Sequence, residues 1–63
     1  MPKYYVKQCR EEAGLTQAEL SEKSGVSRGI IIRLESGELK ETTTGTLIAI
    51  AGALGKKVSD IFY

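Results

Sequence analysis

The sequence predicts an all-α fold, a compact bundle of about five short helices. Apolar residues recur at spacings of three and four, which is typical of helices that bury one face. Glycines follow several of these stretches at the position where helices commonly end, and no segment shows a convincing strand pattern. We expect one domain over residues 1–63, near the lower size limit for a core without metals or disulfides.

The first predicted helix covers about residues 3–13. Val6, Cys9 and Ala13 recur at helical spacing and form its apolar stripe. Gly14 follows as the left-handed residue that ends the helix. Because Cys9 lies on the apolar stripe, we predict that it is a buried small hydrophobe and not a reactive thiol.

The second predicted helix covers about residues 17–24 and begins with the stretch "TQAE". The Thr16 hydroxyl can accept a hydrogen bond from the amide of Glu19, and the Glu19 carboxylate can accept one from the amide of Thr16. This reciprocal arrangement is a capping box, which is a strong local signal for a helix start. Gly25 is predicted to end the helix.

The third predicted helix follows after a short turn and covers about residues 28–35. Val26 is apolar within the turn, so we expect it to fill the space between two helices. Ser27 is the predicted N-cap, and Gly37 ends the helix. Two helices joined by a turn of about three or four residues with a glycine form a helix-turn-helix arrangement.

The fourth predicted helix runs from Thr44 to Leu54, with Thr43 as its cap and Gly55 after it. Its apolar residues make one tight stripe, which consists of Leu47, Ile50, Ala51 and Leu54. The closing stretch "VSDIFY" suits a last helical turn, and the same letters also suit a short terminal strand. The sequence leaves these two alternatives open.

Composition excludes several classes of protein. Nine basic against eight acidic residues leave a formal charge of +1, so overall charge does not by itself indicate a nucleic-acid partner. The single cysteine excludes an intrachain disulfide and favours a reducing, cytoplasmic location. Without histidine or a second cysteine we expect no metal or cofactor, and no apolar run suits a membrane span. We expect no enzyme and no small-molecule substrate, because no nucleophile has a base nearby.

Two long stretches resemble a known family. The stretch "VKQCREEAGLTQAELSEKSGVSRGIIIRLESG" and the later "TLIAIAGALGKKVSDIF" are similar to the lambda-repressor-like (Cro/repressor type, XRE-like) helix-turn-helix domains. The matched elements are Arg10, Leu15, Thr16-Gln17, Leu20-Ser21, Gly25-Val26-Ser27, Ile31, Glu35 with Gly37, and Leu47 to Leu54. One departure is Ser21, where the family usually has alanine. We expect its hydroxyl to bond the carbonyl of Gln17.

The resemblance implies a sequence-specific DNA-binding transcriptional regulator, with base readout by Arg28, Gly29, Ile32 and Arg33 in the major groove. Arginine suits bidentate contact to guanine, and an aliphatic side chain suits a thymine methyl. Gly29 would let the backbone approach the DNA closely. The alternative is that both arginines are ordinary solvated residues and that Ile32 packs on a neighbouring chain.

Phosphate contacts are expected at helix N-termini, where free amides favour anions. The candidates are Gln17, which opens the second helix, and Ser27 and Thr43, which cap the third and fourth. Lys40 adds charge in the loop after the third helix. Plain helix capping is the alternative for the hydroxyl side chains, and it is compatible with phosphate binding.

The resemblance also pairs Arg10 with Glu35, as a structural ion pair that holds the third helix to the body. Two unrelated surface charges are the alternative.

The expected partners are double-stranded DNA and a second copy of the chain, because family members usually bind a palindromic operator as homodimers. Ile48, Val58 and Tyr63 are candidates for an apolar dimer patch. The leading interpretation is a repressor of a phage, a mobile element or a small bacterial operon. The alternatives are an antitoxin that binds a toxin, and a protein-interaction module of this fold that does not bind DNA.

Overall fold

The computed structural model describes residues 4–39 and 42–62, which form an all-α fold as the sequence predicts. Within these ranges the helices are α1 Val6–Glu12, α2 Gln17–Ser24, α3 Arg28–Ser36, α4 Thr44–Leu54 and α5 Val58–Ile61. The Cα radius of gyration is 9.9 Å. No helix in these ranges combines the length and the apolar character that crossing a bilayer requires.

Helix α1 begins later than the sequence suggests, at Val6 and not near Lys3. Tyr4 forms an antiparallel bridge with Phe62, and the amide of Tyr5 donates to the carbonyl of Ile61 at 2.8 Å. The backbone just before α1 is therefore bonded to the other end of the chain and is not available for a helical turn.

The apolar stripe of α1 is shorter than predicted. Val6 and Cys9 are buried, whereas Ala13 follows the last helical residue and is exposed. Gly14 takes the predicted left-handed conformation with a φ of 74°. Burial raises the pKa of the Cys9 thiol, which agrees with the predicted role of a small hydrophobe.

The closing stretch combines the two predicted alternatives, a helical turn and an extended segment. Val58–Ile61 form one helical turn, and Phe62 after it has an extended backbone that pairs with Tyr4. The Tyr4 and Phe62 rings are 5.4 Å apart between centroids, a tilted aromatic contact. The C-terminal segment is therefore a helical turn that leads into a bridge to the N-terminal segment.

The predicted capping box of α2 is present. The Thr16 amide donates to Glu19 Oε1 at 2.8 Å, and the Glu19 amide donates to Thr16 Oγ1 at 3.1 Å. The bond that the carboxylate accepts from the Thr16 backbone amide is the main cause that lowers the pKa of the Glu19 carboxyl. Gly25 ends the helix in the left-handed region, with a φ of 74°.

The N-cap of α3 is the predicted residue, but it forms no side-chain cap. Ser27 occupies the N-cap position of α3, but its hydroxyl makes no capping hydrogen bond. The carbonyl of Ser27 begins the helix by accepting from the amides of Ile30 and Ile31, at 3.1 and 3.2 Å. The first turn of α3 thus starts without the side-chain acceptor that normally helps to direct it.

The core lies between α2, α3 and α4, and α1 and α5 close its two sides. Its fully buried side chains are Leu20, Ile31, Leu34, Ile50, Ile61 and Val6. Burial stabilises the fold by about 1.5–3 kcal/mol for each aliphatic side chain. The predicted stripe of α4 is buried throughout, and Val26 fills the turn between α2 and α3 as expected.

Candidate DNA-binding interface

Helix α3 has one face in the core and the opposite face in solvent. Ile31 and Leu34 are buried, and Ile30 is half-buried at the boundary. Ile32 is 43% exposed, although it follows directly after a fully buried isoleucine. The helical turn of about 100° per residue accounts for this difference, and it leaves one isoleucine without an internal partner.

The exposed face of α3 carries the four predicted base-reading residues. Arg28 is the first helical residue and Arg33 lies in the last turn, and both are exposed. No carboxylate within the described ranges forms an ion pair with either arginine. Both guanidinium groups therefore remain available for an external acceptor.

Gly29 lies on this exposed face between Arg28 and Ile30. A Cβ atom at this position would meet Ser27 Oγ at 3.6 Å, an ordinary van der Waals distance. The internal packing of the protein therefore does not require a glycine here, although glycine within a helix destabilises it by about 0.5–1 kcal/mol relative to alanine. The close approach of DNA to Gly29, which the family resemblance implies, stays a prediction.

The N-termini of α3 and α4 open onto one shared groove. Ser27 and Thr43 both line it, together with Ser24, Val26 and Thr46. The Thr43 hydroxyl accepts from the amide of Thr46 at 3.2 Å, so it caps α4 as predicted. Two of the predicted phosphate-contacting residues are thus brought together, and Lys40 lies outside the described residues.

The side chains of Arg10 and Glu35 meet between α1 and α3. Arg10 Nε donates to Glu35 Oε2 at 2.7 Å, and Arg10 Nη2 donates to Glu35 Oε1 at 3.1 Å. Arg10 Nη1 also donates to the carbonyl of Leu15 at 2.8 Å. The two side chains are only 11% and 4% exposed, so the pair is largely shielded from water. The bond to Glu35 raises the pKa of the Arg10 guanidinium.

Gln17 is part of the same cluster. Its Nε2 donates to Glu35 Oε1 at 2.9 Å, so its side chain points toward Glu35 from the start of α2. The Gln17 amide group has two N–H donors, and this bond uses one of them. No sequence pattern indicates this contact, because the two residues are distant along the chain.

The expected partner of Ser21 is wrong. Its hydroxyl donates to the carbonyl of Val26 at 2.7 Å and not to that of Gln17. A serine one turn before a helix end can bond either backward along the helix or forward into the turn. The sequence alone did not distinguish these two directions.

A comparison with known protein families identifies the family to which the chain belongs. Residues 6–61 match the family model described as "Helix-turn-helix", which spans every helix of the fold. The chain belongs to the Cro/repressor-type helix-turn-helix family. The family predicted from the sequence is therefore confirmed. Members of this family are DNA-binding transcriptional regulators and not enzymes, and their partner is double-stranded DNA.

Individual relatives of this helix-turn-helix chain agree with the family assignment. An uncharacterized HTH-type transcriptional regulator of Methanothermobacter thermautotrophicus is 43% identical over 60 residues, which cover 90% of this chain and 83% of the relative. The immunity repressor protein of Bacillus phage phi105 is 41% identical over 56 residues, which cover 89% of this chain.

A solved structure has the same fold. The crystal structure of the clp gene regulator ClgR from Corynebacterium glutamicum aligns with a TM-score of 0.78 at 36% identity, covering 87% of this chain. The helix-turn-helix chain spans 57% of the ClgR chain and 38% of the phage repressor. The likeness therefore concerns one part of each of those two longer proteins.

Proposed function

We propose that this protein is a repressor that binds a palindromic operator as a homodimer, with α3 in the major groove. The observation that carries the proposal is the exposed face of α3, on which two arginines flank Gly29 and Ile32 and have no carboxylate partner among residues 4–39 and 42–62. Ser27 and Thr43, at the starts of α3 and α4, line a groove beside this face where backbone amides favour phosphate. Repression is favoured by the similarity to a phage immunity repressor.

A binding selection on random duplex DNA at two salt concentrations tests the proposal directly. Enrichment of a palindrome with half-sites about one helical turn apart is expected for a dimer with two recognition helices. A single unrepeated half-site would contradict the dimer. Uniform weak binding that disappears at the higher salt concentration would contradict sequence-specific recognition.

A second copy of the chain is proposed because one domain with a formal charge of +1 has few groups for phosphate contact. Of the three residues named as a possible dimer patch, Ile48 is 56% exposed on α4 and Val58 is half-buried. Tyr63 lies outside the described residues. Ile48 is therefore the residue through which to test self-association.

Replacing Ile48 with serine is expected to shift the protein toward monomer and to weaken operator binding, while leaving the fold intact. The fold should tolerate the change because the side chain is mostly in solvent. Sedimentation velocity over a range of concentrations measures the shift. Ile48→Val is the matched control, because it keeps an apolar side chain at the same exposed position of α4. An unchanged association constant for Ile48→Ser would exclude this surface from the dimer.

Replacing Ile32 with serine is expected to weaken binding at one operator position only. If the side chain contacts a thymine methyl, substituting that thymine by uracil should weaken the wild-type protein in the same way. The two losses should not add, because each change removes the same contact. Titrations of both proteins on thymine- and uracil-containing operators measure this.

The contrary result for Ile32 is equally specific. If Ile32 meets protein, the serine variant should change its sedimentation and the wild-type protein should be insensitive to uracil. That combination would assign Ile32 to a protein interface and would leave the two arginines as the base-reading groups.

A further inference from the structure

The main chain of Val26, in the turn before α3, is held by two serine side chains of α2. Its carbonyl accepts from Ser21 Oγ at 2.7 Å, and its amide donates to Ser24 Oγ at 3.1 Å. Within the described residues, no backbone group is hydrogen-bonded to either polar group of Val26. We call Ser21 and Ser24, with these two bonds, the serine clamp.

The serine clamp is itself oriented by α2. Ser24 Oγ is 3.5 Å from the carbonyl of Ser21, to which it can donate while accepting from Val26. That carbonyl also accepts from the amide of Gly25 at 2.9 Å. Both serines are half-buried, so their hydroxyls are partly shielded from competition with water. The clamp therefore joins the last turn of α2 to the turn that follows it.

Val26 is fixed in place directly before the start of α3. The valine side chain is buried, which anchors the residue in the core, and the two serine bonds set the rotation of its peptide groups. Ser27 follows immediately and begins α3 without a side-chain cap. The two serine bonds at Val26 therefore lie directly before a helix start that has no side-chain capping bond of its own.

We propose that Ser21 and Ser24 are positioning residues for DNA recognition, and that the serine clamp sets the direction in which α3 presents Arg28 to the DNA. This inference rests on the proposed function, because it assumes that Arg28 reads a base. A bidentate arginine contact depends on distance and angle. A small rotation of the first turn of α3 should therefore reduce specific binding while leaving phosphate attraction nearly unchanged.

The test compares specific with random duplex DNA for Ser21→Ala and Ser24→Ala in the full chain. We expect each variant to lose roughly two- to tenfold in affinity for the selected operator, the range of one net hydrogen bond. Affinity for random DNA should stay within about twofold, because the helix N-termini and lysines are still present. Ser21→Thr, which keeps the hydroxyl, should restore operator affinity. Exchange of the Val26 amide with solvent should accelerate in Ser24→Ala, because its hydrogen-bond acceptor is removed.

Ser36→Ala is the matched control. The Ser36 hydroxyl donates to the carbonyl of Arg33 at 3.1 Å and accepts from the amide of Glu38 at 3.3 Å, so it also holds a turn, but at the opposite end of α3. Its loss should leave the ratio of specific to random binding close to that of the wild-type protein. Thermal unfolding of each variant separates a change in recognition from a loss of folded protein.

The possible failures can be told apart. If the wild-type protein selects no operator, the proposed function is wrong, and the amide exchange of Val26 still reports whether the serine clamp holds the turn. If the wild-type protein selects an operator but both alanine variants bind specific and random DNA in the wild-type ratio, the positioning role is overturned. Equal losses on both kinds of DNA, without rescue by Ser21→Thr, would also overturn it.

Discussion

Arg10→Met is expected to leave the protein largely unfolded at room temperature. The change leaves the Glu35 carboxylate, whose side chain is 4% exposed, without a charged partner, and it removes the Arg10 donors to both Glu35 oxygens and to the carbonyl of Leu15. Only the bond from Gln17 to Glu35 Oε1 remains. Breaking a buried pair by removing one partner destabilises a protein by roughly 3–5 kcal/mol. A core of this size rarely supplies more than about 3–5 kcal/mol in total. Circular dichroism during urea and thermal unfolding measures the loss.

The double mutant tests whether Arg10 and Glu35 act as a pair. Arg10→Met combined with Glu35→Leu should recover part of the stability, because no unpaired charge then remains in the site. Recovery should be partial, since Gln17 and the carbonyl of Leu15 still lose their partners. Arg28→Met is the control for the loss of an exposed arginine, and it should change stability by less than about 0.5 kcal/mol. Strictly additive losses in the cycle would show that the contact contributes no coupling energy.

Arg28→Ala and Arg33→Ala are expected to weaken operator binding by about 1–3 kcal/mol each and to relax the base preference at one position. Both side chains are exposed and have no carboxylate partner within the described residues, so folding should be unaffected. Competition titrations against operators with single base changes measure the preference. A loss that is largest on the original base and absent on the changed base identifies the position that each arginine reads.

Lys40→Ala shows the effect expected when a predicted phosphate contact is lost, for comparison with the two arginine variants. It should weaken all duplexes by similar factors and reduce the slope of log affinity against log salt by about one unit. The two arginine variants, in contrast, should lose more on the operator than on random DNA. If all three variants lost the same factor on both kinds of DNA, the assignment of base reading to Arg28 and Arg33 would be wrong.

Features that depend on neighbouring residues could be predicted from the sequence alone. The capping box of Thr16 and Glu19, the left-handed Gly25 and the apolar stripe of α4 all involve residues within one or two helical turns of each other. The backbone geometry of a helix determines such relations before any tertiary contact forms. The same geometry explains why Ile31 is buried while the adjacent Ile32 is exposed on α3.

The pair of Arg10 and Glu35 was predicted on a different basis. No periodicity joins residues on α1 and α3, and the prediction came from the resemblance to a family in which these positions meet. The bidentate geometry, the shielding of the pair from water and the participation of Gln17 followed only from the assembled helices. The sequence therefore identified the partners, and the tertiary structure showed how strongly they are enclosed.

Features that depend on distant parts of the chain were decided only by the tertiary structure. Helix α1 begins at Val6 because the preceding backbone pairs with Ile61 and Phe62, at the other end of the sequence. The acceptor of the Ser21 hydroxyl is only five residues away, but it too was not predicted, because the left-handed Gly25 turns the carbonyl of Val26 back toward α2. A hydroxyl can satisfy itself on any acceptor within reach, and which acceptor is within reach depends on how the packed helices place the backbone. Local sequence thus determined which helices form and which faces they bury, whereas packing decided where the first helix starts and which polar groups meet.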